Sequence, residues 1–223
     1  MTPDSGFRTP DFKTGGFMHD PKAHLDRNET LRSIRDRRSI RTFLEKEISE
    51  DDLLAILHAA HQAPSAHNQQ SWRFIVMKDK SKSDLASMVT ERSANFPKAS
   101  AVLLRMAARS IINAPVVVAI INTGELIKRG TELFKIDKDK AHDFFRIMEI
   151  QSSAAAVQNM LLAATSLGLG TVWLGVLALM QKDVLAFLDE PEGEFMAIIP
   201  IGYPAKPGIQ PSKHGLDMVI KNL

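Results

Sequence analysis

Residues 37–43 read Arg37, Arg38, Ser39, Ile40, Arg41, Thr42, Phe43, a density of cationic forks that suits a bound anion. A phosphomonoester requires fixed, permanently charged donors. Arginine provides them because its guanidinium engages two phosphate oxygens at once and does not titrate away. If the segment runs extended, Arg37, Ser39 and Arg41 share one face and Arg38 points the other way. A second segment, Ala63, Pro64, Ser65, Ala66, His67, Asn68, Gln69, Gln70, Ser71, Trp72, follows an expected helix. Its Pro, Ser and Asn residues make a tight loop that presents backbone amides and a side-chain amide to a polar, planar ligand.

The elements that must hold these two segments are partly legible. Residues 1–28, rich in Gly, Pro, Asp and Lys, read as a mobile leader, with Met18 a candidate internal start. A short helix over 30–37 runs into the arginines. Ser49 opens a near capping box, with Glu50, Asp51 and Asp52 in the first turn, and Leu53, Leu54, Leu57, Ala60 and Ala63 follow at helical spacing. That helix is expected to stop at Ala63, because Pro64 disfavours helical geometry before it. Residues 73–78 read as a strand, 81–92 as a helix, and 115–121 as a β-branched strand buried on both faces. Residues 122–145 are charged, with Phe134, Phe144 and Phe145 interspersed, and read as an insertion over the site. The strongest helix candidate is 147–167. Ala154, Ala155, Ala156, Ala163 and Ala164 give it a small-sided face that suits a tight helix pair, as across a subunit interface, although a helix merely packed on the sheet reads alike. Gly168 and Gly170 end it, 195–203 gives another buried strand, and 216–221 alternates imperfectly as a final edge strand. There are no internal repeats.

The chain has 223 residues, 44% hydrophobic and 24% charged, which fits one globular domain. No apolar run approaches a membrane span. With no cysteine, disulfides, thiolate nucleophiles and Cys-ligated metals are excluded, and cytoplasm is the default location. A net charge of +2 does not argue for nucleic acid. His58, His61 and His67 lack the remaining ligands of a zinc site and are expected to be ordinary surface or core residues. Gly168 and Gly170 follow a helix instead of preceding one, so a dinucleotide fingerprint fails, and no Gly-x-Ser-x-Gly elbow supports hydrolysis.

Taken together, the arginine segment, about twenty residues of helix and the 63–74 segment resemble the FMN-dependent nitroreductase family. Gly168 to Gly175 and Ile199 to Ala205 match further segments, and the resemblance covers roughly residues 28–223. An isolated arginine triplet reads as a solvated helix end. With the second segment at the family's spacing, the ligand-binding reading prevails. The resemblance implies an α+β fold, a nitroreductase-like central mixed β-sheet flanked by helices in an intertwined homodimer, with one FMN-binding domain over 29–223. It makes Arg37, Ser39 and Arg41 ligands of the FMN phosphate and ribityl chain, with Arg38 contributing through backbone or side chain. Pro64, Ser65, Ala66 and Asn68 would come from the other subunit to touch the ring. Arg109, a few residues before the 115–121 strand, would stand by flavin N1 and O2, where positive charge favours the anionic reduced ring. Leu174 and Gly175 would meet the ring near N5, and Lys213 is the nearest match to a terminal phosphate-binding cation.

The implied activity is an NAD(P)H-dependent oxidoreductase passing hydride through FMN N5 to a small acceptor such as a nitroaromatic or quinone, without a protein nucleophile. Two departures stand out: Ser71 replaces a frequent proline, which relaxes a rigid turn, and Lys213 keeps charge without the arginine fork. Relatives that dehalogenate or fragment reduced flavin share the scaffold. Ser39 stands where the fragmenting branch commonly carries Asp. A flavin-binding module without efficient turnover is the reading from a different class.

Overall fold

The computed structural model describes residues 24–133 and 138–221, so most of the expected leader and Phe134 lie outside the described residues. In chain order the elements are α1 (Glu29–Asp36), α2 (Glu50–His61), β1 (Trp72–Met77), α3 (Asp79–Arg92), α4 (Lys98–Asn113), β2 (Val116–Asn122), α5 (Glu125–Leu133), α6 (Lys138–Ser166), β3 (Gly170–Thr171), α7 (Gln181–Phe187) and β4 (Glu194–Gly202). Strand β2 organises them. All seven of its residues are buried, as its β-branched composition anticipates. It pairs antiparallel with β1 on one side and β4 on the other, and β3 completes the order β1-β2-β4-β3. All three strand pairings are antiparallel, and parallel pairing is confined to an isolated bridge between Ser39 and Thr171, outside the ladder.

Successive side chains of β2 alternate between two cores, as a strand's period of two demands. Val117, Ala119 and Ile121 pack with Leu85 and Val89 of α3, Leu104 and Ile111 of α4, and Val184 of α7. Val116, Val118 and Ile120 pack on the opposite face with Leu53, Ile56 and Ala60 of α2 and Val157, Met160 and Ala164 of α6. Each large side chain fully withdrawn from water contributes about 1.5–3 kcal/mol before entropy is counted. Both cores are therefore needed to hold the flanking loops in place. None of the described helices is long and apolar enough to cross a membrane.

Ser49 caps α2 as expected, its Oγ accepting from Asp52 N at 3.1 Å. The helix ends at His61 instead of Ala63, because Gln62 and Ala63 already turn back toward His58 and Ala60. Helix α6 packs on α2 of the same chain, where Asn159 Nδ2 donates to Ala59 O at 3.1 Å. Helix α6 also begins nine residues before its expected start at Ile147, at Lys138. Its charged first turns are held where Ala141 and Phe145 pack with Leu126. The described residues of 122–145 thus form the end of β2, helix α5 and the start of α6.

Helices α4 and α7 have no counterpart in the sequence reading. In α4 the buried positions Ala101, Leu104, Ala108 and Ile111 recur at helical spacing, but exposed Val102, Leu103, Met106 and Ile112 blur the pattern. The expected edge strand over 216–221 is corrected: Leu216–Met218 is a 3-10 turn. Residues 209–221 are exposed throughout, and their backbone bonds are local turns, with no neighbouring strand among the described residues to form a ladder.

Candidate functional site

Asn28 caps α1 by accepting from Leu31 N at 3.0 Å, and the helix gives way to extended backbone at Arg37. The next residues are sewn between two neighbours. Ile40 N donates to Thr171 O at 2.8 Å, Leu44 N to Tyr203 O at 2.9 Å, and Ala205 N to Thr42 O at 3.1 Å. Ile40 and Phe43 turn inward, leaving Ser39 and Arg41 exposed. A Cβ on Gly170 would stand 2.7 Å from Ile40 Cβ, so the close approach of these two segments requires glycine.

The four arginines of this region divide into two pairs by partner. Arg35 binds Asp36 and Asp26, holding the Asp36 carboxyl below its usual range, while Arg38 folds away from the exposed face. Its Nη1 donates to Arg35 O at 2.6 Å and Arg37 O at 2.7 Å, and a Cβ on Gly208 would stand 2.3 Å from its Cβ. Arg38 therefore secures the exit from α1 beneath the C-terminal segment. Arg37 and Arg41 have no carboxylate partner among the described residues. Two uncompensated guanidiniums flanking a serine hydroxyl form a donor set whose chemistry fits a phosphomonoester.

The 64–70 loop is locally strained and over-held. His67, Asn68 and Gln70 have φ of 53°, 51° and 54°, a left-handed region costing non-glycine residues about 1–2 kcal/mol each. Ser65 Oγ accepts from Gln70 N at 3.1 Å, Ala66 N donates to Ser152 Oγ at 3.1 Å, and Gln70 Nε2 donates to Asn68 O at 3.0 Å. Trp72 anchors the exit, with Nε1 donating to His61 Nδ1 at 3.3 Å. Ser71, in place of proline, is buried, and Thr123 N donates to its carbonyl at 3.1 Å. Such strain persists where the surroundings over-determine it and marks a candidate binding loop. Arg129 of α5 adds a bond to Gln69 Oε1 at 2.9 Å.

Leu174 is buried, its N–H donating to Ile198 O at 2.9 Å, and exposed Gly175 opens the following 3-10 turn. Both follow directly from the Thr171 that bridges Ser39, so the structure joins the arginine segment to this stretch. Arg109 is exposed on α4, which packs on the same core as Ile40, Phe43 and Leu174. Lys213 is exposed on the C-terminal segment that crosses Arg38 at Gly208.

What one chain does not join is the two motif halves. Trp72 pairs with Asn122 at one end of the sheet, whereas Val116 pairs with Ile201, and Gly170 with Gly202, at the other. The six steps along β2 amount to roughly 20 Å. Helix α6 gives an independent ruler: Ser152 anchors the loop, and Leu169 N reaches Ala164 O beside the arginine end. Twelve helical steps from Ser152 to Ala164 span roughly 18 Å.

Sequence reasoning missed Glu149, Ser152 and Trp173. Glu149 is 1% exposed, accepting from Leu126 N at 2.8 Å and Gly124 N at 3.2 Å, so it caps α5 from α6. The available signal is a polar stripe of Arg146, Glu149, Ser152 and Ser153 at helical spacing on an apolar helix. Burial pushes the Glu149 carboxyl above its ordinary 4.5, outweighing the amide bonds that favour its charged form. A raised carboxyl contributes stability that is fully present below its unfolded pKa and lost as pH rises through the folded one. Denaturant unfolding of wild type and Glu149→Gln over a pH series should therefore show the wild type's advantage largest in acid and shrinking toward neutrality. A pH-independent difference would show that the buried carboxylate is fully compensated.

No cluster of metal-ligating side chains occurs among the described residues, and His61 is engaged by Trp72 as a structural acceptor. A family model described as the nitroreductase family matches residues 34–203. A protein of Archaeoglobus fulgidus, provisionally named NADH dehydrogenase/NAD(P)H nitroreductase, is 33% identical over 179 residues, covering 79% of this chain and 86% of that one. The FMN reductase [NAD(P)H] of Bacillus subtilis is 25% identical, covering 80% and 67%. A crystal structure of a provisionally assigned nitroreductase from Desulfovibrio desulfuricans in complex with FMN superposes with a TM-score of 0.66 at 28% identity, covering 88% of this chain and 97% of its own.

Proposed function

Because the chain belongs to the nitroreductase family, we propose that it is an NAD(P)H-dependent FMN oxidoreductase working as a cytoplasmic homodimer on nitroaromatics, quinones or related small acceptors. The carrying observation is the division of the site. Arg37, Ser39 and Arg41 form an uncompensated phosphate-binding edge joined to Leu174 and Gly175, while the strained loop stands at the far end of the sheet. A second copy, placed about a two-fold axis, brings its own loop to that edge. This favours a shared site at the subunit boundary, completed by Pro64, Ser65, Ala66 and Asn68 of the second chain.

When bound, FMN supplies hydride acceptance from NAD(P)H and onward reduction of an acceptor that takes the nicotinamide's place, a ping-pong sequence. The protein's share is binding and electrostatics. Arg37 and Arg41 clamp the phosphate with Ser39 as a hydroxyl donor, and Lys213 adds charge from the C-terminal segment. Arg38 acts indirectly, holding the arginine segment at its exit from α1. Arg109 places positive charge at the pyrimidine edge of the ring, and the backbone at Leu174 and Gly175 borders N5. Exposed residues of α5, tied to the loop through Arg129, border the acceptor's side of the pocket.

Anaerobic mixing of the flavin-loaded protein with NADH and, separately, NADPH is the test. Loss of the flavin's visible absorption, restored by a quinone or nitroaromatic, is the expected outcome. A spectrum that stays oxidised with both donors would make the protein a flavin-binding module.

A further inference from the structure

The two tryptophans occupy contrasting positions. Trp72 is buried, stacked with Phe74, and its indole N–H is spent on His61. Trp173 is 37% exposed, and its indole N–H has no acceptor among the described residues. An aromatic of this size left half in water forgoes much of its burial energy, unless another flat apolar surface covers it.

Its position says which surface. Ser39 and Thr171 form the parallel bridge, and two residues further along each segment stand Arg41 and Trp173, both exposed. Further along the same direction the indole stands beside Gly175: a Cβ there would lie 3.7 Å from Trp173 Nε1 and 3.8 Å from Cδ1. Leu174, between the two, is fixed by the bond from its N–H to Ile198 O. The indole thus stands beside Gly175, two residues on from the Thr171 that Ser39 bridges.

We propose that Trp173 is the aromatic platform of the flavin site, its indole packed in contact with the isoalloxazine system of FMN bound between Arg41 and Gly175. This rests on the FMN reading of the same site. Offset stacking of an electron-rich indole on an electron-poor ring suits both partners, and a side chain fixed by its neighbours holds the ring's tilt. Trp173 then orients the cofactor without taking part in proton or hydride movement.

Contact between indole and flavin has an optical signature, because the excited ring is quenched by electron transfer from an indole at van der Waals distance. Wild type, Trp173→Phe, Trp173→Leu and Trp72→Phe are each loaded with FMN and freed of excess, and bound flavin is quantified by absorbance. Emission is then measured per bound flavin. Wild type and Trp72→Phe should be dim, while both Trp173 variants should be several-fold brighter. Bound flavin equally dim in wild type and the Trp173 variants would overturn the proposal while leaving the FMN reading intact, as would brightening in Trp72→Phe alone. Failure of wild type to retain any FMN would be seen first, in absorbance, and would overturn both.

Discussion

Arg41→Ala is expected to purify largely free of flavin while keeping its fold. Arg41 is exposed and has no ion-pair partner among the described residues, so its loss removes no such contact from the segment. The segment is held by the Ile40–Thr171 and Leu44–Tyr203 backbone bonds and by buried Phe43. A lost charge-assisted phosphate contact costs about 1.5–3 kcal/mol, roughly ten- to over a hundredfold in affinity. Titration with FMN and with riboflavin separates the roles, since riboflavin lacks the phosphate. The expected result is severe weakening for FMN and little change for riboflavin, with unchanged thermal unfolding of the apoprotein. Equal weakening of both ligands would take Arg41 off the phosphate.

The largest effect is expected from complementation between two inactive chains. Arg41→Ala disables the arginine edge, and Pro64→Arg combined with Asn68→Ala disables the loop. Asn68 has φ of 51°, so alanine there adds backbone strain as well as removing an amide. If the edge of one chain meets the loop of its partner, a mixed dimer holds one site with both defects and one with neither. Co-expression should then raise bound FMN and reductase activity from near zero to as much as one intact site per mixed dimer. Two defects confined to their own chains would leave the mixture as empty as its parents, and a monomer retaining stoichiometric FMN on light scattering would end the shared-site model. The roughly 20 Å between motif halves along β2 is the reason to expect rescue.

Local chemistry was legible where a residue's role depends on its immediate neighbours. Ser49 followed by three acids announced a helix cap that the structure contains. The run from Val116 to Ile121 announced a strand covered on both faces, and alternation at 39–41 announced which side chains face outward. Helix α4 was not legible, because its exposed Val102, Leu103 and Met106 are as apolar as its buried face. Charged residues 138–146 hid the start of α6, since Ala141 and Phe145 become core only by meeting Leu126. At the C-terminus, 216–221 has a strand's alternation without a strand's neighbour, and becomes a turn.

The same division runs through the site. Type and spacing were enough to nominate Arg37, Ser39, Arg41 and the 64–68 loop, because phosphate affinity and turn chemistry are properties of a few adjacent residues. They were also enough for membership of a family, since those segments recur in order along the chain. Side-chain fate was another matter. Arg38 and Arg41 are chemically identical, yet the fold commits one to backbone carbonyls under Gly208 and leaves the other uncompensated in the open. Glu149 is buried where α5 covers it, and the Trp173 indole is left partly exposed beside Gly175, neither of which the local sequence announces. Burial, partner and distance between motif halves depend on contacts between residues far apart in the chain, which only packing of the sheet against its helices brings about.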